Sequence, residues 1–392
     1  MDRGMSRSLT MKTGPQVGGS PVRTPAPSRR EQMGIRRRTL EHLAGRHERH
    51  HVVLGFDGFI DDLCHVMDVR ADGHSMRRIA TMAEFSRKVG SAAGLSCALE
   101  LESQGIRPGG NAPNMGRTVL EFGNDLSLIA TLGEREIHPI FREITGSCRA
   151  VISIGEPGYT EALEFLDGKL MLNRTGGLSA IGWDRLCAHV TPERLKAIAG
   201  SASLIGLLDW TIFPLMNEIV EGFLELIGER SERPVLFIDL SDLRRRPRQD
   251  IIHMARVIGR CGASTGTVLS LNESESLIAA EALSIAVDDP PARAGAIRDR
   301  LKISAVVIHP LEGAAVATLE GTCWIDGPYT PTPAVSTGGG DNFNAGFCNG
   351  WLLGMAPDEC AVLGSYTSGY YVRHGRPPGK RELMEFIKTS IT

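Results

Sequence analysis

The chain lacks most of the features that would assign it quickly to a class. Its eight cysteines, Cys64, Cys97, Cys148, Cys187, Cys261, Cys323, Cys348 and Cys360, stand singly, with no CxxC and no Cys/His spacing suited to zinc. They read as reduced, small apolar residues. No signal-peptide core and no run of 18 or more uncharged apolar residues is present; the longest candidate, LIGLLDWTIFPLMN, is interrupted by Asp209 and Pro214. The expectation is a cytoplasmic protein that does not work in a membrane. There is no internal repeat and no GxxxxGK[ST] phosphate loop, and the glycine run at 338–340 cannot be a GxGxxG dinucleotide motif because Phe343 stands where its last glycine would be.

What is present is ordinary in bulk and uneven in distribution. With 42% hydrophobic and 23% charged residues, the 392-residue chain has the composition of a globular protein with a substantial core. The net charge of -3 conceals a basic head: residues 1–50 hold 11 Lys or Arg against 4 Asp or Glu, leaving 32 basic and 42 acidic residues in the body. An acidic body argues against nucleic acid as a partner. The head, rich in Ser, Pro and Gly without a helical or strand period, reads over 1–45 as a disordered extension outside the fold.

Seven short apolar runs, HVVLGF, LSLIATLG, AVISIG, SLIGLLDW, PVLFIDL, TVLSL and AVVIHP, alternate with longer segments of helical spacing. Strands apolar on both faces predict a mostly parallel sheet covered by helices on both sides, with ligands beyond the strands' carboxyl ends. The segment EALEFLDGKLML alternates around Asp167-Gly168, a hairpin signal. With HVMDVRADGHS and CALELESQ it predicts a small β insertion, placed at about 63–108 and 156–182, that could serve as a lid.

Four motifs could carry chemistry. In STGGGDNFNAGF, Gly338, Gly339 and Gly340 let the backbone approach a ligand, and the following helix adds the positive end of its dipole, which suits an anion. Asp341 could instead be a plain helix cap. In RPGGNAPN, Gly110, Asn111 and Asn114 open a helix that Gly123 would close, either as a simple turn and cap or as donors to a polyhydroxylated substrate. In GFDGFIDD, Asp57 and Asp61 follow the first strand, to cap a turn or to accept from substrate hydroxyls. In LSLNESES, Asn272 and Glu275 either cap a helix or offer hard oxygens to hydrated Mg²⁺.

In chain order GFDGFIDD, GGNAPN, FIDLSD, NESE and STGGGDNFNAGF resemble the ribokinase-like (PfkB) carbohydrate kinases over about residues 50–390. The resemblance implies a three-layer α/β sandwich with a mostly parallel central sheet and a small inserted β lid. It implies Asp341 as catalytic base, Gly338, Gly339 and Gly340 as an anion hole, and Asn272 and Glu275 organising Mg²⁺ and the phosphates of ATP through water. Asp57, Asp61, Gly110, Asn111 and Asn114 would hold the acceptor's hydroxyls. A monovalent cation such as K⁺ and a homodimer formed through the lid are compatible with the same family. The expected activity is transfer of the γ-phosphoryl of ATP to a sugar or sugar-like small molecule. Alternatives are a nucleoside kinase, an ADP-dependent sugar kinase, and a silent sugar- or nucleotide-binding regulator.

The sequence departs from the family at VVIHPLEGAAVAT, where a T-x-G-x-x-G-like turn is usual and His309, Leu311 and Gly313 stand with one residue fewer. His309 reads as a structural residue. Gly339 replaces the usual Ala, and Val335-Ser336 the usual Asp-Thr, without removing an N–H donor.

Overall fold

The computed structural model describes residues 27–70, 76–228, 233–262 and 266–391. Its strands are β1 (His51–Phe56), β2 (Phe59–Arg70), β3 (Met76–Arg78), β4 (Glu100–Gly109), β5 (Asp125–Ala130), β6 (Ala150–Ser153), β7 (Gly158–Phe165), β8 (Gly168–Arg174), β9 (Leu204–Leu207), β10 (Val235–Asp239), β11 (Thr267–Leu271), β12 (Ala305–Ile308), β13 (Gly313–Thr318) and β14 (Gly321–Asp326). The seven apolar runs become seven parallel strands of one nine-stranded sheet, ordered β14-β13-β12-β11-β10-β9-β1-β5-β6. The added edge, β13 and β14, pairs antiparallel.

Period-two alternation in these strands feeds two separate cores. Val53, Ile205, Ile238 and Val306 point to one face, against helices that include Met216–Ile227, Arg248–Gly262 and Pro290–Leu301. Leu54, Leu204, Phe237 and Val307 point to the other, against Asn111–Glu121, Gly339–Leu352 and Pro357–His374. This is a three-layer sandwich, and its doubly covered strands are why their sequences read as unbroken apolar runs. The strand order reverses at β1, between β5 and β9, so a crevice opens at the carboxyl ends of these strands.

A second, five-stranded sheet runs β3-β2-β7-β8, with β4 also paired to β2. It has a small core of its own, Cys64, Val66, Ile79, Leu163 and Phe165, covered by Phe85 of the helix Met82–Ser91. The hairpin joining β7 to β8 turns at Leu166-Asp167, one residue before the dipeptide expected from sequence, because Phe165 pairs directly with Gly168.

The expectation of a disordered head over 1–45 needs correction for its last part. Residues Arg29–Gly45 form a helix opened by a Ser28/Glu31 capping box. Ile35 and Leu43 are buried in the second core, Arg36 donates to Asp326 O (3.2 Å), and His42 Nδ1 lies 2.9 Å from a carboxylate oxygen of the buried Glu359. Gln32 pairs with the backbone of β14, closing the edge of the sheet. Only two fully buried apolar residues, with Leu40 half-buried beside them, stand in a strongly basic segment and leave the helical period faint; tertiary packing supplies what the pattern lacks. Residues 1–26 lie outside the described residues. Among the described residues no helix is long and apolar enough to cross a membrane.

Candidate active site

The crevice at the end of β1 is crowded with carboxylates. Asp57, just beyond β1, has no exposed surface; its oxygens accept from the amides of Asn111 (2.6 Å) and Ala112 (2.9 Å). Those amides begin the helix Asn111–Glu121, whose cap position, Gly110, has no side chain to satisfy them, so Asp57 does this from a distance. Asp57, expected among the hydroxyl ligands, therefore has a prior task of holding the start of the helix Asn111–Glu121. Burial, with Asp239 adding like charge, pushes its carboxyl up to about 6 despite both amides. Asp239, the last residue of β10, accepts from Ser241 N (2.8 Å) and Asn344 Nδ2 (2.6 Å), yet burial still raises it. Asp209, two residues after β9, is raised by burial and then by Asp57. Asp209 and Ser241 both adopt left-handed backbone (φ 54° and 57°). For non-glycine residues such strain gathers at functional sites.

The two glycines of RPGGN fit against the two aspartates of GFDGFIDD. A Cβ on Gly109 would stand 2.1 Å from Asp61 Oδ2, and one on Gly110, at φ 97°, 2.9 Å from Asp57 Oδ2. Asp61 lies on β2, 7% exposed; burial raises its carboxyl against a Thr160 hydrogen bond and the charge of Lys169. Asn111 Nδ2 donates to Ser241 Oγ (2.8 Å), and Asn114 Nδ2 donates to Asp341 Oδ2 (3.0 Å). The acceptor motifs and Asp341 thus meet across more than 200 residues of sequence.

The turn before Asp341 answers why three glycines precede it. Gly338 is the cap of the helix Gly339–Leu352, at φ 86°, and a Cβ there would come within 2.8 Å of Tyr371 Oη. Tyr371 donates to Thr337 O (3.0 Å), while Lys169 Nζ, reaching over from β8, donates to Thr337 Oγ1 (2.5 Å). The Gly339 amide is used within the turn, on Ser336 O at 3.3 Å, so not all three glycine amides face a ligand. The amides of Gly340 and Asp341 donate to no protein group among the described residues and stand at the positive end of the helix dipole. Asp341 is the third helical residue and caps nothing. It is 9% exposed, and burial first, Asp239 second, hold its carboxyl well above the usual range.

Asn272 and Glu275 form a capping box: Asn272 N donates to Glu275 Oε2 (2.8 Å) and Glu275 N to Asn272 Oδ1 (2.9 Å). Burial, then Asp239, still push Glu275 up to about 8. A carboxylate held so near neutrality gains by a cation. Among the described residues no three His, Cys, Asp or Glu side chains converge as a metal cage. Glu275 alone would suit Mg²⁺ carried mainly by phosphate and water, the ordinary mode of that ion with nucleotides. Beside this helix start lies a cavity of about 480 Å³, bounded by Asn272, His309, Gly340, Tyr329 and Pro331. His309 stacks on Phe343 (4.5 Å between ring centroids), and burial lowers its imidazole to about 4, so it is neutral.

All of the residues singled out from sequence lie around this crevice, Asp61 from the small sheet and the others from the central domain. Lys169, Asp209, Ser241 and Tyr371 were missed. Lys169 lies in a hairpin whose alternation is its only sequence signal, and Asp209 follows β9 within an apolar run that gives its carboxylate no motif.

The matches to known proteins agree with this fold. The family model described as prokaryotic ketohexokinase matches residues 30–389, so it includes most of the helix Arg29–Gly45. The ketohexokinase of Haloferax volcanii is 29% identical over 350 residues, covering 88% of this chain and 93% of that protein. Ribokinase from Thermotoga maritima superposes with a TM-score of 0.60 at 14% identity, covering 87% of this chain and 100% of that one. A Burkholderia thailandensis nucleoside kinase in complex with inosine superposes with a TM-score of 0.60 at 15% identity, covering 87% and 98%. Both structures share the fold with this chain. The sandwich, the small added sheet and the ordered motifs around Asp341 are those of a ribokinase-like (PfkB) protein, and this chain belongs to the prokaryotic ketohexokinase family.

Proposed function

We propose that the protein transfers the γ-phosphoryl group of ATP to a hydroxyl of a ketohexose. The observation that carries this reading is the placement of Asp341: its carboxylate is bonded by Asn114 of the acceptor loop and adjoins two unspent amides at a helix start. Asp341 takes the proton of the attacking hydroxyl as the new O–P bond forms and the bond to the β-phosphate oxygen breaks, releasing ADP. The Gly340 and Asp341 amides and the helix dipole stabilise the charge on the phosphoryl oxygens. Lys169 adds a cation at the same point from the small sheet, close enough to Asp61 and Asp341 to feel both charges. Mg²⁺, when bound with the nucleotide beside Glu275, supplies further charge neutralisation. Asp61, Asn111 and Asn114 hold the sugar, and the small sheet covers it against water. Strand β4 presents an open edge with Leu101 and Ile106 43% and 54% exposed, which supports pairing of two small sheets in a homodimer.

The test measures nucleotide consumption with ATP or ADP, with and without K⁺, over a panel of ketohexoses, aldohexoses, ribose and nucleosides. Turnover on a ketohexose with ATP is expected, and Asp341→Asn should lower kcat by about 10² to 10⁴. An Asp341→Asn protein as active as wild type would remove the base assignment. Turnover only on nucleosides would replace the acceptor, and calorimetric sugar binding without turnover would favour a silent regulator.

A further inference from the structure

One side chain touches both halves of the site without facing either substrate. Asn342, 1% exposed, follows Asp341 in the helix Gly339–Leu352. Its Nδ2 donates to Gly338 O (2.8 Å), the same carbonyl that accepts the Asn342 backbone N–H (3.0 Å). Its Oδ1 accepts from Thr118 Oγ1 (2.7 Å), and Thr118 has no exposed surface. Thr118 lies one helical turn beyond Asn114 on the acceptor helix, so the bonds Asn114 to Asp341 and Thr118 to Asn342 run side by side between the same two helices.

The consequence lies in the orientation of a peptide. Gly338 is the only residue of the turn at positive φ, and glycine crosses its wells at little cost. Two donors fix its carbonyl into the first helical turn, so the turn that leaves the Gly340 and Asp341 amides unbonded beside the cavity is held in one conformation. One of these donors is itself held by the acceptor helix.

We propose that Asn342 is a positioning residue that, through Thr118, makes the geometry of the anion-binding turn answer to occupancy of the acceptor loop. A sugar that tightens Asn111 and Asn114 also tightens Thr118, Asn342 and Gly338, and the phosphoryl-binding amides are set when the acceptor is in place. This rests on the reading of Gly340 and Asp341 as the phosphoryl site. Linkage requires the reverse as well: nucleotide must tighten the sugar by the same factor.

The experiment compares Thr118→Val, which keeps shape and removes the donor, with Thr118→Ser, which keeps the donor, and with Asn342→Ala. Two quantities are read: kcat and KM for the ketohexose, and the affinity of a non-hydrolysable ATP analogue by calorimetry with and without the sugar. Wild type should bind the analogue more tightly with sugar. Thr118→Val and Asn342→Ala should lose most of that gain and about tenfold in kcat, with the ketohexose KM at saturating ATP rising by the factor by which the gain falls, and Thr118→Ser should restore all three. The inference fails if wild type shows no sugar-dependent tightening, if Thr118→Val keeps the tightening and kcat, or if Thr118→Ser is as impaired as Thr118→Val. Asp341→Asn run in parallel separates the two claims, because its full activity would overturn the base assignment while the analogue affinities of the Thr118 series still report the coupling.

Discussion

The two sheets that face the crevice are built by different means. The central sheet presents its chemistry from enclosed positions: Asp57, Asp239, Asn342 and Asn344 are all under 10% exposed and bonded to one another's elements. The small sheet contributes two groups, Asp61 and Lys169, and leaves β4 almost wholly exposed. Buried polar groups must be fully paired, so they rigidify whatever they join. Under the proposed function the rigid central side would fix the phosphoryl group, and the small sheet, with a core of a few residues, would be the part free to move relative to it.

After the Asp341 variant, the largest expected effect on this contrast is at Gly338. Gly338→Ala would force a φ of 86° on a residue with a Cβ, at a cost of about 1–2 kcal/mol, and would press on Tyr371 Oη. Turnover should fall more than stability, and adding Tyr371→Phe should return part of the loss. A Gly338→Ala protein with normal kcat would show that the turn is not held rigid from behind. Next, Lys169→Met should lower kcat/KM by about tenfold or more, the size of one hydrogen bond to a charged group, while Lys169→Arg loses less. Equal activity in both would deny the small sheet a part in catalysis.

A third prediction is electrostatic. Glu275 in the fold keeps its proton up to about pH 8, above the ordinary 4.5, so its contribution to stability is full below about pH 4.5 and is lost as pH rises toward 8. Asp57, raised to about 6 from 3.8, acts in the same direction over a lower window. Glu275→Gln keeps a capping-box acceptor and loses the charge. Its melting temperature should gain on wild type between pH 5 and pH 8 by the equivalent of about 1 kcal/mol or more, while its activity falls. Mg²⁺ with nucleotide should close that gap by stabilising wild type alone. An unchanged difference between the two pH values would mean that Glu275 is not held protonated. The smallest effect on turnover is expected from Ile106→Asp on β4, which should shift a dimer to monomer in sedimentation and leave kcat within about twofold; an unchanged dimer would move the interface elsewhere.

The parallel strands were legible because burial on both faces leaves each one a short apolar word between helices. The strands β13 and β14 were not: GAAVAT is buried throughout but built mainly of alanine, a poor strand former, and GTCWID is mixed at the edge of the sheet, where one neighbour is the helix Arg29–Gly45. The site was legible where a local rule is broken for a ligand, as in GGGD, and illegible where a residue acts by arriving from elsewhere. Lys169 on a β-hairpin looks like any solvated lysine until the fold sets its ammonium on Thr337. Asp57 shows the converse: the sequence offers it as a turn cap or an acceptor for substrate hydroxyls, and only the structure reveals that two amides from another motif claim it.

The helix Arg29–Gly45 docks on elements formed by the other end of the chain. His42 meets Glu359, Arg46 donates to Leu353 O, and Lys380 Nζ donates to Arg46 O (2.6 Å). On the ribosome this helix emerges early, and its binding surface is made last. Until the helix Pro357–His374 has been made, this basic segment lacks the Glu359 carboxylate that it meets in the fold. Deleting the helix Lys380–Lys388 should therefore loosen the helix Arg29–Gly45, and the earliest sign should be proteolysis near residue 45.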